Sequence, residues 1–163
     1  MTGASRVLVA VRVRATPARA FAAFTEQIGE WWQPNGLFPF TGGRTGTLAF
    51  EPGPTGRLVE RYDDGSAFEV GRIRVWDPPH RLVLGWRHAG FADDQETELH
   101  VRFEAVEDDP GRTRVTVEHL GWDAIPPDHA ARHGFPLPVF QRRFAEWWQR
   151  LLAGVDRVVA GGA

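Results

Sequence analysis

The chain has no cysteine, one tyrosine (Tyr62) and one methionine. All 19 of its basic residues are arginine, so lysine is missing too, and serine occurs only at Ser5 and Ser66. Without cysteine there is no disulfide, no thiolate nucleophile and no cysteine zinc site. Without lysine there is no side-chain Schiff base and no phosphate loop of the Walker type. Ser66 stands in Asp63-Asp64-Gly65-Ser66, a turn without the Gly-x-Ser-x-Gly elbow, and Ser5 lies near the terminus, so neither reads as a nucleophile. Any catalysis therefore rests on His, Asp, Glu, Arg, Tyr or bound water. The arginines face 21 acidic residues, for a net charge of -2. Such a balance predicts no nucleic-acid partner. No stretch approaches the roughly 18 apolar residues of a membrane span, and the amino terminus lacks signal-peptide regions. A cytoplasmic protein with no membrane partner is expected.

Aromatic residues are abundant, with seven Trp and 11 Phe in 163 residues. A chain of this length is expected to form one domain over 1–163 and to bury about 68–70% of its unfolded surface. Val7, Val9, Val11 and Val13 alternate with polar positions, the period of a half-buried strand. Thr16-Pro17 then places a cap before a helix-starting proline. Ala20, Phe21, Phe24 and Ile28 follow at helical spacing, with a break expected near Gly29. Trp31, Trp32, Phe38 and Phe40 fall in a segment broken by Pro34, Gly36 and Pro39. This is an aromatic loop, placed to form a lid.

From Arg44 to His119 six strand-like runs are separated by turn signals: Pro52-Gly53-Pro54, Asp63-Asp64-Gly65, Asp77-Pro78-Pro79, Gly90 to Gln95, and Asp108-Asp109-Pro110-Gly111. Sequential hairpins imply an antiparallel meander. From Val139 to Val159 the period changes to three and four, predicting an amphipathic helix of about five or six turns. The fold class is α+β: a curved antiparallel sheet wrapped around a long C-terminal helix, with two short helices after strand one.

Strand alternation turns this into a list of inward residues. Thr113, Val115, Val117 and His119 share one face, as do Leu82, Leu84, Trp86 and His88, and Leu58, Glu60 and Tyr62. In Thr97, Leu99, Val101 and Phe103 the same rule turns His100 outward. Buried carboxylates and imidazoles need partners, so Glu60, Tyr62, His88 and His119 form either a satisfied structural network or the polar end of an apolar pocket. Glu60 and His119 are the candidate acid/base pair. Trp31, Trp32, Phe38, Phe50, Phe68, Trp86, Trp122, Phe140, Phe144 and Trp147 are candidate ligand walls, and each also reads as ordinary core packing. His129 and His133 lie four apart, but Ala130 stands where a His-Glu-x-x-His motif needs its Glu. No metal and no cofactor is assigned.

The segments Ala15-Thr16-Pro17, Trp31-Trp32-Gln33-Pro34, Trp76 to Leu82 with Trp86, and Thr116 to Trp122 resemble the START-like helix-grip superfamily. The nearest branch is similar to the carboxy-terminal domain of the activator of Hsp90 ATPase. The resemblance implies a cavity between sheet and helix that takes a small apolar or aromatic ligand. It also admits an aromatase/cyclase- or hydratase-like enzyme, or an interaction module with an Hsp90-type partner. The stretch His133 to Pro138 departs from the branch, and the extra amino-terminal domain of full Hsp90 activators is not expected. A small-molecule binding protein is therefore the first expectation.

Overall fold

A computed structural model describes residues 6–35 and 37–161. The order is β1 (Arg6–Val13), α1 (Pro17–Glu26), α2 (Ile28–Trp31), β2 (Thr47–Glu51), β3 (Arg57–Arg61), β4 (Ala67–Asp77), β5 (Arg81–Trp86), β6 (Thr97–Val106), β7 (Asp109–Leu120) and α3 (Leu137–Gly161). One curled antiparallel sheet holds all seven strands in the order β1-β7-β6-β5-β4-β3-β2. Strands β2 to β7 form the expected meander, and β1 returns to pair with β7 from Arg6↔Leu120 to Val13↔Thr113.

Local chemistry explains the element ends. The Thr16 hydroxyl accepts the Arg19 N–H at 3.3 Å, satisfying an orphan donor of α1, and Pro17 opens that helix where no N–H is needed. The two short helices meet at Gln27, so Gly29 lies inside α2 and not at the break. The last hairpin turns at Glu107-Asp108, because Asp109 already pairs with Val106. Asp109, Pro110 and Gly111 thus begin β7 and do not form the turn. Pro78-Pro79, in the β4–β5 turn, is a cis peptide.

Strands β4 and β5 approach most closely at Gly71 and Gly85 among the glycine positions. A Cβ on Gly71 would lie 1.6 Å from the Gly85 carbonyl oxygen, so only glycine permits that approach. Helix α3 runs 25 residues, about seven turns, and starts two residues before the expected Val139. Pro138 sits in its first turn, where proline is tolerated. Its stripe of Phe140, Phe144, Trp147, Trp148, Leu151, Leu152, Val155 and Val159 is buried in the sheet's apolar cluster. Burying each such side chain contributes about 1.5–3 kcal/mol. Asp156 fastens the far end of α3 to β1, accepting the Arg14 backbone N–H at 2.9 Å and its guanidinium at 2.9 and 3.2 Å.

Candidate functional site

Between α2 and β2 the chain crosses the edge of the sheet–helix sandwich as an irregular strap, described over residues 32–35 and 37–46. Its aromatic side chains lock onto the helix and the sheet. Phe38 stacks on Trp147 at 5.3 Å between ring centroids, and Trp32 stacks on Phe40 at 5.8 Å and meets Trp147 edge-on at 5.0 Å. Phe40 in turn packs on Trp86 at 5.2 Å and on His88 at 5.3 Å. The aromatic residues of this broken segment are the ones that make these contacts.

Two cavities flank the strap and share Pro39 and Phe40. The first, about 120 Å³, is walled by Trp32, Phe38, Phe40 and Trp147 and ends on Glu60. Glu60 is only 5% exposed. One carboxylate oxygen accepts the Tyr62 hydroxyl at 2.5 Å, and the other accepts the Gly46 N–H at 3.2 Å. Gly46 reaches so close because it has no Cβ; one would stand 2.3 Å from the Arg61 carbonyl oxygen. Tyr62 also meets the Thr41 hydroxyl at 2.8 Å, and the Arg44 guanidinium lies over its ring at 3.7 Å. Burial, followed by the hydrogen bond to Glu60, raises the Tyr62 pKa and keeps the phenol protonated.

The second cavity, about 280 Å³, lies between the strap and the segment 129–133 and is bounded by His88. Two further histidines line it, both engaged with backbone. His129 donates Nε2–H to the Gly90 carbonyl at 2.9 Å and accepts the Ala131 N–H at Nδ1, while His133 bonds the Leu37 carbonyl. The segment is a three-residue 3-10 turn, Ala130–Arg132, with His133 at φ 55, so the two histidines do not share a helical face. Among the described residues no group of three metal-binding side chains converges.

Behind the strap the interior is interlocked. His119 is fully buried and packs against Trp86 and Trp122 at 5.4 Å and Phe144 at 5.1 Å. The Thr97 hydroxyl donates to the Trp86 carbonyl at 3.0 Å, so its oxygen accepts His119 Nε2–H at 2.7 Å. His119 Nδ1 is then a buried lone pair without a protein partner, as are the indole N–H groups of Trp86, Trp122 and Trp148 without acceptors. Burial holds both imidazoles neutral. It lowers His88 to about 4 and pushes His119 well below its ordinary value.

The candidate residues therefore separate into groups. Trp32, Phe38, Glu60 and Trp147 meet at the small cavity, Tyr62 supports Glu60, and His88 bounds the larger one. Trp86, His119, Trp122, Phe140 and Phe144 interlock in the core. Glu60 on β3 and His119 on β7 are not brought together, since β4, β5 and β6 lie between their strands. Trp31 is a core residue whose indole donates to the Ala23 carbonyl at 3.1 Å. Phe50 borders a separate space of about 240 Å³ beside α1, and Phe68 packs at the edge of the core. A larger opening, about 610 Å³, is a groove between the α1 start and the β4–β5 turn. Its walls are mostly exposed side chains, and the unpartnered buried groups lie elsewhere.

Alternation did not single out Thr41, Arg44 or Arg132. Arg132 is buried, and its guanidinium donates to the carbonyls of Trp122, Ile125 and Phe135 at 3.3, 2.7 and 2.8 Å. It ties the chain between β7 and α3 into one block, and burial lowers its pKa. No periodicity marks such a residue, because its partners are loop carbonyls.

The sequence model of the activator of Hsp90 ATPase homolog 1-like proteins matches residues 14–160. The chain belongs to this family. Among solved structures similar to this Hsp90-activator-like chain is the anthrahydroquino-γ-pyrone synthase Txn09, solved as a complex. It is 30% identical over 92% of this chain and 96% of its own, with a TM-score of 0.53. CalC, a self-sacrificing resistance protein from Micromonospora echinospora, is 28% identical over 95% and 94%, with a TM-score of 0.61. The Hsp90 activator PFC0360w from Plasmodium falciparum is 16% identical over 96% of each chain, with a TM-score of 0.63, and shares the fold. Comparison with curated proteins gives no match. No described helix is long and apolar enough to cross a membrane.

Proposed function

We propose that this chain binds a small, largely apolar aromatic molecule at the edge of the sheet–helix sandwich, beneath the strap. The observation that carries this reading is the buried Glu60 carboxylate at the end of a crevice walled by four aromatic rings, which adjoins a larger cavity of about 280 Å³ at Pro39 and Phe40. Apolar walls with one or two fixed polar groups are what small-ligand sites need, the walls supplying affinity and the polar groups orientation. The resemblance to an anthrahydroquino-γ-pyrone synthase supports the same class of ligand. A thermal-shift screen of planar aromatic compounds, followed by calorimetry on Trp32→Ala and Glu60→Gln, tests it. Ligands should raise the melting temperature, and both substitutions should weaken binding. Affinity unchanged by either would remove the site.

An enzymatic reading has one specific support, the similarity to a synthase at 30% identity. In this chain the chemistry would run through Glu60 and Tyr62, which share a 2.5 Å hydrogen bond at the crevice, and not through His119. Conversion of a bound aromatic precursor, lost in Glu60→Gln while binding persists, would establish it. The family's name equally motivates an ATPase assay with an Hsp90-type partner, in which stimulation is the required result.

A further inference from the structure

Resting on the ligand-binding reading of the Glu60 crevice, we infer that the group the ligand inserts there is a protonated amine. The site carries an imbalance of charge. Among the described residues Glu60 is the one acidic side chain in the buried class. Acids nearer solvent, such as Glu51, Glu96 and Asp156, pair with arginine, but among the described residues no ion pair reaches Glu60. Its partners are neutral, the Tyr62 hydroxyl at 2.5 Å and the Gly46 N–H at 3.2 Å. A buried carboxylate is costly unless an opposite charge answers it, and here the missing partner is a cation.

The carboxylate is placed to meet such a group. Strand β3 is hydrogen-bonded on both sides, to β2 and β4, so what Glu60 brings to a crevice on the helix side of the sheet is its side chain. The oxygen that accepts from Gly46 lies beside Thr45, which lines the crevice with Arg44. A carboxylate offers about four acceptor positions, and the protein occupies two of them. Arg44 does not supply the absent charge, because its guanidinium lies over the Tyr62 ring at 3.7 Å and pairs with Asp64 at 3.0 Å. The aromatic walls suit an alkylammonium, since rings attract a cation and pack on its methylene stem. A carboxylate or phosphate on the ligand would meet like charge. At about 120 Å³ the crevice is smaller than a cavity that holds benzene, which is about 150 Å³. It therefore takes the ammonium end and leaves the ligand's rings at its mouth, beside exposed Pro34 and Thr45.

The test compares tryptamine, tryptophol and indole-3-acetate by calorimetry on the intact protein at neutral pH. The three share a planar ring system and differ in the end group, which is ammonium, hydroxyl or carboxylate. A close charge pair corresponds to a preference for tryptamine of at least about tenfold over tryptophol, and indole-3-acetate should bind more weakly than either. In Glu60→Gln the preference should fall to within about twofold. Because a buried substitution can disturb folding, carbon-13 NMR of the unaltered protein gives an independent reading, in which tryptamine should move the Glu60 carboxylate resonance. Equal affinity for tryptamine and tryptophol, a preference that survives Glu60→Gln, or an unmoved resonance overturns the inference while leaving ligand binding intact. If tryptamine does not bind while planar compounds of the thermal-shift screen do, the inference alone falls. If neither set binds, both fall.

Discussion

The core behind the strap and the rim in front of it are made of the same kinds of side chain, yet they are built differently. Around His119 every neighbour comes from a regular element or its immediate extension, and aromatic rings close on one another at 4.7 to 5.6 Å. Around Glu60 and His88 one wall is the irregular strap, and space remains on both its sides. Regular elements bring side chains together at repeating intervals and fill volume. An irregular segment crosses them at one place and leaves open space on both its sides. Ligand chemistry is accordingly sought at the rim and stability in the core.

Truncation breaks this comparison most directly. Phe144→Ala, which opens the core beside His119, should destabilise by about 3–5 kcal/mol in a denaturant titration. Trp32→Ala removes a larger but half-buried ring from the strap and should cost less than half as much. Equal losses would mean that the strap is core.

Acidification comes next. An unfolded imidazole titrates near 6.5, whereas His88 in the fold titrates near 4. Below pH 6.5 the unfolded chain takes up protons that the folded chain refuses, so stability falls as pH drops from 6.5 towards 4. The slope approaches about 1.4 kcal/mol per pH unit for each such imidazole, and His119, also lowered, adds to it. His88→Phe should reduce the slope measured by melting at successive pH values; an unchanged slope would show that the rim imidazole is not held neutral.

Smaller effects sharpen the contrast. Thr97→Val leaves His119 Nε2–H without its acceptor in a dry interior and should cost about 1–3 kcal/mol. On the outer face of the sheet, Glu98 is partly exposed and bonds Arg74 and His100. Glu98→Gln should change stability by no more than about 1 kcal/mol. A larger loss there would show that the outer face carries stability that the core has been credited with.

Much of this was legible before the structure. The period of two placed His88, His119 and Glu60 inward, and all three are buried. The period of three and four located α3, and the prolines and glycines located most turns. Alternation, however, reports which face a side chain occupies and not what stands opposite it. His119 and Glu60 looked like partners because both point inward, while their separation depends on the strand order, which sets β4, β5 and β6 between β3 and β7. Arg132 was hidden for the same reason, as its three acceptors are loop carbonyls. The hairpin at Glu107-Asp108 was displaced by the prolyl-glycyl pair beside it, which strand β7 absorbs at its exposed start.

The pairing of β1 with β7 has a consequence in time. Arg6 finds its partner in Leu120, and Arg14 finds its own in Asp156. During synthesis at about 5–20 residues per second, the first strand emerges and must wait on the order of ten seconds before its neighbour exists. Through that interval Val7, Val9, Val11 and Val13 form a short, apolar, unpaired ribbon. The newborn chain is vulnerable to sticking to its neighbours along β1, and that danger ends only when β7 leaves the ribosome.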